Sequence, residues 1–573
     1  MPIRLPPKPK KGKQKQVNID YSSLEAARTS APADWTHDDF LEDGTKQEEQ
    51  GERYQIGAKA ARHFHNATTS YRLAASLSPT SFDARYNAAR ALQTLATEHL
   101  APPACLEALA QAIEAYREAL VVLGEGSGGT ARIDALFNLA QADVALFEML
   151  EEGVAVVEGE VERALQAARE AKGLFVEVER LQRVEMEKVF GADGPQDEEA
   201  GGAMDETASA AGSATEVQAM ETTIVTPHLI VDTLLESIAL DVALFSSVSD
   251  PEDQTALPQS ALDSLSRANT LRTLIPRSNS PPQPDELDLE LSLAHVSILT
   301  STSPASDEAT ALLQSTASAL PAPRVEVLSA YADNLLDSLP LTAQPFPTLL
   351  ATLEQALQVY QQSASLLSNR LSPPKNTPSA HLPSLLATNL VAQATVHLLV
   401  YTLSSRALSL DVSLSASLQP EKLREHLLSA HQLALDATAA CKSGLSLAVS
   451  SSSPPSALKP TLALARAPAS QDPRSDWRTL SALRAALFTL ARVRLRLDPS
   501  AEAWDSEKKQ FWALWRAVGL GRSGGAAGSE EERRLREREV RWWAEETGED
   551  KVAEAMDEAD RTRERAWWAA LAE

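Results

Sequence analysis

The chain is 573 residues long, 43% hydrophobic and 23% charged, with a formal net charge of −26 and a sequence pI near 4.9. That balance excludes non-specific nucleic-acid binding by the folded body, because phosphates would be repelled, and favours a basic partner. The same acidity also keeps a large Ala/Leu-rich protein soluble, so charge alone leaves both uses open.

Residues 1–33 are rich in Pro and Lys and are expected to be disordered. Their run Lys8, Lys10, Lys11, Lys13 and Lys15 suits an import receptor or simply a solvated end, and it lacks the apolar stretch of a secretory signal. From Trp35 a first helix begins, capped by Thr36 or Asp38, and a helical array is expected over 34–190. Within it Ala67, Tyr71 and Ala74, closed by Pro79, share one helical face, and Ala112, Tyr116 and Ala119 repeat the spacing. The alanines let a neighbouring helix come close, the tyrosine fills the gap, and the proline ends the helix. DARYNAARA (83–91) and DALFNLAQA (134–142) are a second recurrence: Asp, Ala, an aromatic, Asn, then Ala two and four residues on. Cys105 and Cys441 suit small core spaces; two cysteines supply neither a disulfide framework nor a cysteine zinc site.

Residues 191–221 mix acid, Gly, Ala and Ser with few large apolar side chains and read as a flexible, disordered acidic insert. Degenerate helical repeats are expected over 222–448, jointed at Pro276, Pro321, Pro323 and Pro373. They keep the earlier spacing in weaker form as Ala261, Leu265, Ala268; Ala356, Tyr360; and Ala430, Ala434, Ala437. Over 222–247, Asp232, Glu236 and Asp241 read as one wet side. The most apolar helix, 385–403, carries Asn389, Gln393 and His397 as a single polar stripe, which argues for a buried helix and against a membrane span. No stretch alternates in the manner of a strand. A Pro/Ser-rich linker (449–475) leads to a Trp/Arg-rich helical block over 476–573. That block holds Trp504, Trp512, Trp515, Trp542, Trp543, Trp567 and Trp568 of the chain's 9 tryptophans. Two uses are open: capping the last repeat, or docking a partner through Trp512, Trp515, Trp542 and Trp543 with Arg533, Arg534, Arg536, Arg538 and Arg541 as the rim.

These recurrences resemble the tetratricopeptide repeat (TPR). The resemblance implies an all-α fold, a right-handed α-solenoid of TPR-like helix pairs, in which the first helix of each pair lines a concave groove. It also implies that Asn87 and Asn138, with Arg90 and Gln141, contact the backbone of an extended peptide, while Ala67, Tyr71, Ala74, Pro79, Ala112, Tyr116 and Ala119 pack the repeats. An Asn side chain suits the task because it offers both a donor and an acceptor; the alternative is that it satisfies a neighbouring helix end. The chaperone-tail clamp of some TPR domains is not matched, since Leu41, Thr45, Asn138 and Ala142 stand where positive charge is wanted.

Catalytic signals are absent. Gly519, Gly521 and Gly524 form a literal G-x-G-x-x-G that follows an amphipathic Trp helix rather than a strand. His63 and His65 are too close to share a helical face, and no nucleophile constellation stands out among the Ser and Asp residues. The expectation is a non-enzyme without cofactor or metal, cytoplasmic and/or nuclear, that contacts neither nucleic acid nor membrane. Its role reads as a protein-interaction scaffold or dedicated chaperone for an extended, basic segment of a protein partner, which extends by fold analogy to ribosomal-protein escort or assembly. The alternative is a structural subunit docking through the C-terminal tryptophans.

Overall fold

The computed structural model describes residues 18–54, 58–100, 104–124, 129–151, 160–190, 224–248, 250–275, 286–303, 306–339, 345–371, 382–410, 419–449 and 477–498, with isolated positions between 508 and 566. Among them no strand occurs. The helices, in chain order, are α1 (Leu24–Ser30), α2 (His37–Tyr54), α3 (Ala58–Leu77), α4 (Phe82–Thr94, running into a π-turn at Leu95–His99), α5 (Ala104–Leu123), α6 (Thr130–Met149), α7 (Glu160–Phe190) and α8 (Pro227–Ser247). They continue as α9 (Pro251–Arg272), α10 (Glu286–Thr302), α11 (Asp307–Ala319), α12 (Val325–Asp337), α13 (Phe346–Leu371), α14 (Leu382–Leu410), α15 (Pro420–Val449) and α16 (Trp477–Leu497).

Local chemistry sets where these helices start. The Thr36 N–H donates to Asp39 Oδ2 at 2.8 Å while the Asp39 N–H reaches Thr36 Oγ1 at 3.4 Å, so Thr36 is the cap of α2. Ser81, Thr226, Asp250 and Ser306 accept backbone N–H groups in the same way at the starts of α4, α8, α9 and α11. The expected disorder of 1–33 does not extend over α1: Ser23 caps it, Ala27 is fully buried, and α1 packs on α3. Residues 1–17, the acidic insert 191–221 and, beyond Val449, the linker 449–475 lie outside the described residues.

From α2 onward each helix packs on the next, and the first helices of successive pairs also meet, α4 with α6, α8 with α10, and α10 with α12. This is an α-solenoid of TPR-like helix pairs. Ala67, Tyr71, Ala74, Ala112, Tyr116 and Ala119 are all fully buried, and Pro79 sits exposed in the turn between α3 and α4. In the first pair the gap filled by the tyrosine is narrow: a Cβ on Gly44 would lie 2.4 Å from Tyr71 Cε1, and one on Gly51 2.7 Å from Phe64 Cε2. Each buried phenol also needs an acceptor. Tyr71 donates to Glu48 Oε2 at 2.5 Å, Tyr116 to Gln93 Oε1 at 2.7 Å, and Tyr360 to Asp333, in every case reaching the first helix of its own pair.

Asp241 is not on the wet side of α8. It is 1% exposed and pairs with Lys172 Nζ of α7 at 2.5 Å. The five residues from Glu236 to Asp241 turn the helix by about 500°, which carries Asp241 to a different face. Helix α14 is long and apolar enough to span a membrane, with a hydropathy of 1.3 over its most apolar stretch, yet 67% of that stretch is buried inside the protein. Its stripe is internal too: Gln393 donates to Asn389 Oδ1 at 2.8 Å, and His397 meets His426 of α15 at 2.9 Å.

Two glycines therefore respond in opposite directions to alanine. Gly44→Ala forces its methyl into the buried Tyr71 ring and should lower stability by about 1–3 kcal/mol. Gly173 of α7 has open space where its Cβ would go, so Gly173→Ala should raise stability by up to ~1 kcal/mol. Thermal denaturation of both variants checks this; an unchanged Tm for Gly44→Ala would contradict the close packing.

His99 supplies an acid-sensitive point. It is 4% exposed, stacks on Phe64 at 4.9 Å, and burial pushes its pKa from 6.5 down to about 4. Below pH 6.5 the unfolded chain binds a proton that the folded chain refuses until about pH 4, so stability falls across that window as pH drops. His99→Phe should flatten this part of the stability–pH curve, measured by urea denaturation between pH 7 and pH 4.

Candidate peptide-binding groove

The four expected groove residues do lie along the run of first helices, but three of them are already engaged there. Asn138 Nδ2 of α6 donates to the Tyr86 hydroxyl of α4 at 2.7 Å. Tyr86 in turn stacks on Phe82 and meets the edge of Tyr116 with centroids 6.0 Å apart, so Asn138 holds an internal cluster rather than an empty groove. Arg90 Nη2 of α4 donates to Glu48 Oε2 of α2 at 2.9 Å, on the same oxygen that takes the Tyr71 hydroxyl. Burial raises the Glu48 pKa, against the lowering effect of Arg90 and Tyr71. Gln141 of α6 lies against Glu236 of α8 and lowers its pKa against the effect of burial. Asn87 alone is half-buried with no side-chain hydrogen bond among the described residues.

Past Gln141 the inner surface changes character. Burial raises the pKa of Glu236, and the neighbouring charges of Glu148 on α6 and Asp232 on its own helix raise it further. Glu290 of α10 is raised by burial and by Asp232 and Glu286. Asp134 of α6 is likewise raised by burial. Glu148, Asp232, Glu236 and Glu290 thus neighbour one another across α6, α8 and α10, a strip of first helices that Asp134 borders in a cleft it shares with Asp232. Asp232 keeps His228 beside it at 3.2 Å, and Arg324 pairs with Glu286 at 2.5 Å at the far end. Between α6, α7 and α8 the strip opens into a cleft of about 120 Å³, lined by Ile133, Asp134, Phe137, Leu229 and Asp232, with Gln182 at its wall. The Gln182 carbonyl oxygen is buried without a donor.

Such a surface suits cationic side chains threaded past half-buried carboxylates. The sequence signals for it are Asp232 and Glu236, and Glu286 and Glu290, each pair four residues apart on successive first helices. Nothing in the sequence says that the two pairs meet. No group of three or more His, Cys, Asp or Glu residues has a metal-ligand arrangement among the described residues.

At the C-terminal end Trp512 is 5% exposed, packed among residues of α14, α15 and α16 that include Ala387, Cys441, Leu483 and Leu487, with the Arg536 guanidinium 5.3 Å from the ring centroid. A tryptophan buried in this way is packed into the array rather than offered as a surface anchor. Trp515, Trp542 and Trp543 lie outside the described residues.

No protein-family model and no curated protein matches the chain. Solved structures that align with it include the TPR domain of P58(IPK), at 12% identity over 91% of this chain and 99% of that one, with a TM-score of 0.15. A circular tandem repeat protein with a novel repeat topology aligns at 13% identity over 93% and 97%, TM-score 0.17. Naa15/Naa10 bound to HypK-THB aligns at 12% identity over 91% and 80%, TM-score 0.17. None of these superpositions is close enough to transfer a site, and the repeat character rests on the helix pairs themselves. The fold is TPR-like.

The two asparagines of this TPR-like array separate by experiment. Asn138→Ala leaves the Tyr86 hydroxyl without its partner and should lower stability by about 1 kcal/mol, whereas Asn87→Ala should leave the Tm within experimental scatter. Differential scanning calorimetry of the two single variants distinguishes them.

Proposed function

We propose that this chain is a non-catalytic scaffold or dedicated chaperone whose first helices hold an extended, basic segment of another protein. The observation that carries the reading is the strip Asp134, Glu148, Asp232, Glu236 and Glu290 on three first helices, in which burial with Glu148 and Asp232 raises the Glu236 pKa, burial with Asp232 raises that of Glu290, and burial raises that of Asp134. Like charges held this close disfavour the ionised state. A cationic segment laid along them relieves the repulsion. The net charge of −26 adds long-range attraction for such a client. A newly made ribosomal protein or another assembly subunit with a basic extension is the finer form of this proposal, with the protein acting in cytoplasm and/or nucleus and touching neither nucleic acid nor membrane.

The test is fluorescence anisotropy with a labelled Lys/Arg-rich extended peptide and a scrambled acidic control. Asp232→Asn/Glu236→Gln/Glu290→Gln should weaken the basic peptide at least tenfold and flatten its salt dependence, because three charges leave the surface that the Debye layer of ~10 Å at 0.1 M screens. Affinity should also fall as pH drops into the raised carboxyl range. There the protons bound by Glu236 and Glu290 must be expelled before the cation can pair. Equal affinity of wild type and triple variant at every salt concentration would overturn the proposal.

A further inference from the structure

A second cleft lies away from the acidic strip. It opens between α5, α6 and α7 with a volume of about 210 Å³, far more than the roughly 15 Å³ a single water needs. Its walls are apolar at Ala110, Ile113, Leu146 and Ala167, and Asp143 of α6 lies among them. With 3.6 residues per turn Asp143 stands about 200° around the helix from Gln141, so this cleft belongs to the side of α6 that packs between the two second helices.

Asp143 is 2% exposed and its Oδ2 has no hydrogen-bond partner. A buried carboxyl oxygen without a donor is costly, which makes it a receptor for whatever donor can reach it. The charged groups facing it are Arg117 of α5 and Arg163 and Glu170 of α7. Arg117 is occupied: its guanidinium lies 2.6 Å from Glu170 and 3.7 Å from Glu114. Arg163 has an interaction of its own. Gln166 gives its amide N–H to Glu170 at 3.1 Å, and its carbonyl is an acceptor by chemistry. The cleft thus offers an apolar sleeve with a buried carboxyl inside whose Oδ2 has no hydrogen-bond partner, and an amide oxygen at the rim.

We propose that this cleft is a second protein-recognition site, which takes one arginine side chain of a partner with its guanidinium on Asp143. An arginine fits each feature. Its methylene stem lies along Ala110, Ile113, Leu146 and Ala167, and its planar fork of donors serves Asp143 and Gln166 together. The guanidinium is weakly hydrated, so it leaves water more readily than an ammonium. Because Asp143 stands on the covered side of α6, away from the face that carries Asp134 and Glu148, the site stands independently of the groove reading, and a partner engaging both would clasp the array from two sides. Burial, with repulsion from Glu170 and against the lowering effect of Arg117, holds the Asp143 carboxyl at about 7, so it is poised to give up its proton when the cation arrives.

Saturation-transfer NMR on the full chain tests this with N-acetyl-arginine amide as the probe and the citrulline amide as its uncharged counterpart. Transfer to the arginine side-chain methylenes is expected in the wild type and at least tenfold less for citrulline. Asp143→Asn, which keeps the shape and removes the charge, should abolish it. Ala110→Phe, which fills the mouth and leaves Asp143 in place, should do the same and decides the matter if Asp143→Asn fails to fold. Between pH 8 and pH 6 the ionised fraction of a group titrating at about 7 falls about tenfold, and the affinity should follow. Transfer that survives both variants, or that vanishes instead with Glu236→Gln in the groove, overturns the proposal.

Discussion

The approach of paired helices around a buried aromatic ring is the constraint on which the rest of this array depends. The Tyr71 ring can lie flat against α2 only because Gly44 has no side chain, and the alanines at 67 and 74 keep the flanking turns close. Burying a phenol obliges the first helix to present an acceptor, and Glu48, Gln93 and Asp333 do so in three separate pairs. Where the ring lacks a hydroxyl the pairing changes accordingly: Phe175 of α7 meets Phe137 of α6 edge-on at 5.9 Å. The acceptors chosen for this purpose sit on the helices that also form the inner surface, so packing and recognition draw on the same residues. Glu48 shows the consequence, since it serves Tyr71 below and Arg90 beside it and has little charge left to offer a ligand.

Charge compensation consequently differs around the array. The acidic residues of α7, a second helix, stand beside arginines: Glu177 with Arg180 at 2.7 Å, and Glu179 with Arg183 and Arg267. The Arg180 hydrogen bond lowers the Glu177 pKa, while on α8 burial and two carboxylates raise that of Glu236. Both helices are acidic in sequence, yet their carboxylates behave oppositely. A surface carboxylate with its own arginine contributes little to attracting a ligand. One that is half-buried among its own kind has repulsion to lose when a cation binds.

The small-aromatic-small spacing was legible because it is local: three positions on one face specify how close a neighbour comes, whichever neighbour that is. The cap of α2 was legible for the same reason as one of two neighbouring residues, and of Thr36 and Asp38 it is Thr36 that takes the role, in a reciprocal pairing with Asp39. What the sequence could not supply is which inner residues meet across helices. Asn87 and Asn138 occupy the same place in DARYNAARA and DALFNLAQA, but the aromatic before Asn87 is a tyrosine, and its hydroxyl claims Asn138 of the following pair. Two identical positions thus acquire different duties from a single oxygen atom on a residue 52 positions away.

Helix α6 shows why a wet side and a dry side are the wrong categories in the middle of such an array. A helix at the edge of a globule has one apolar stripe and one polar one. A first helix of an inner repeat is covered by its own partner, by the second helix before it and by the first helices on either side, and meets solvent only along a narrow line. Asp134, Asn138, Gln141 and Glu148 occupy that line, and Asp143 falls among Leu139, Leu146 and Met149 on the covered faces. In an amphipathic reading Asp143 and Glu148 are equivalent acids on one helix. Packing separates them: Glu148 lies along the groove, where it raises the Glu236 pKa, and Asp143 is pushed to about 7 inside a cleft. Asp241 completes the series on α8, since it too leaves the wet line by one step of helical phase, but there Lys172 of α7 answers the charge at 2.5 Å. Whether a displaced acid of this kind is structural or is a receptor then depends on one thing that only the packing of neighbouring helices decides: whether a cation from within the chain forms a direct ion pair with it.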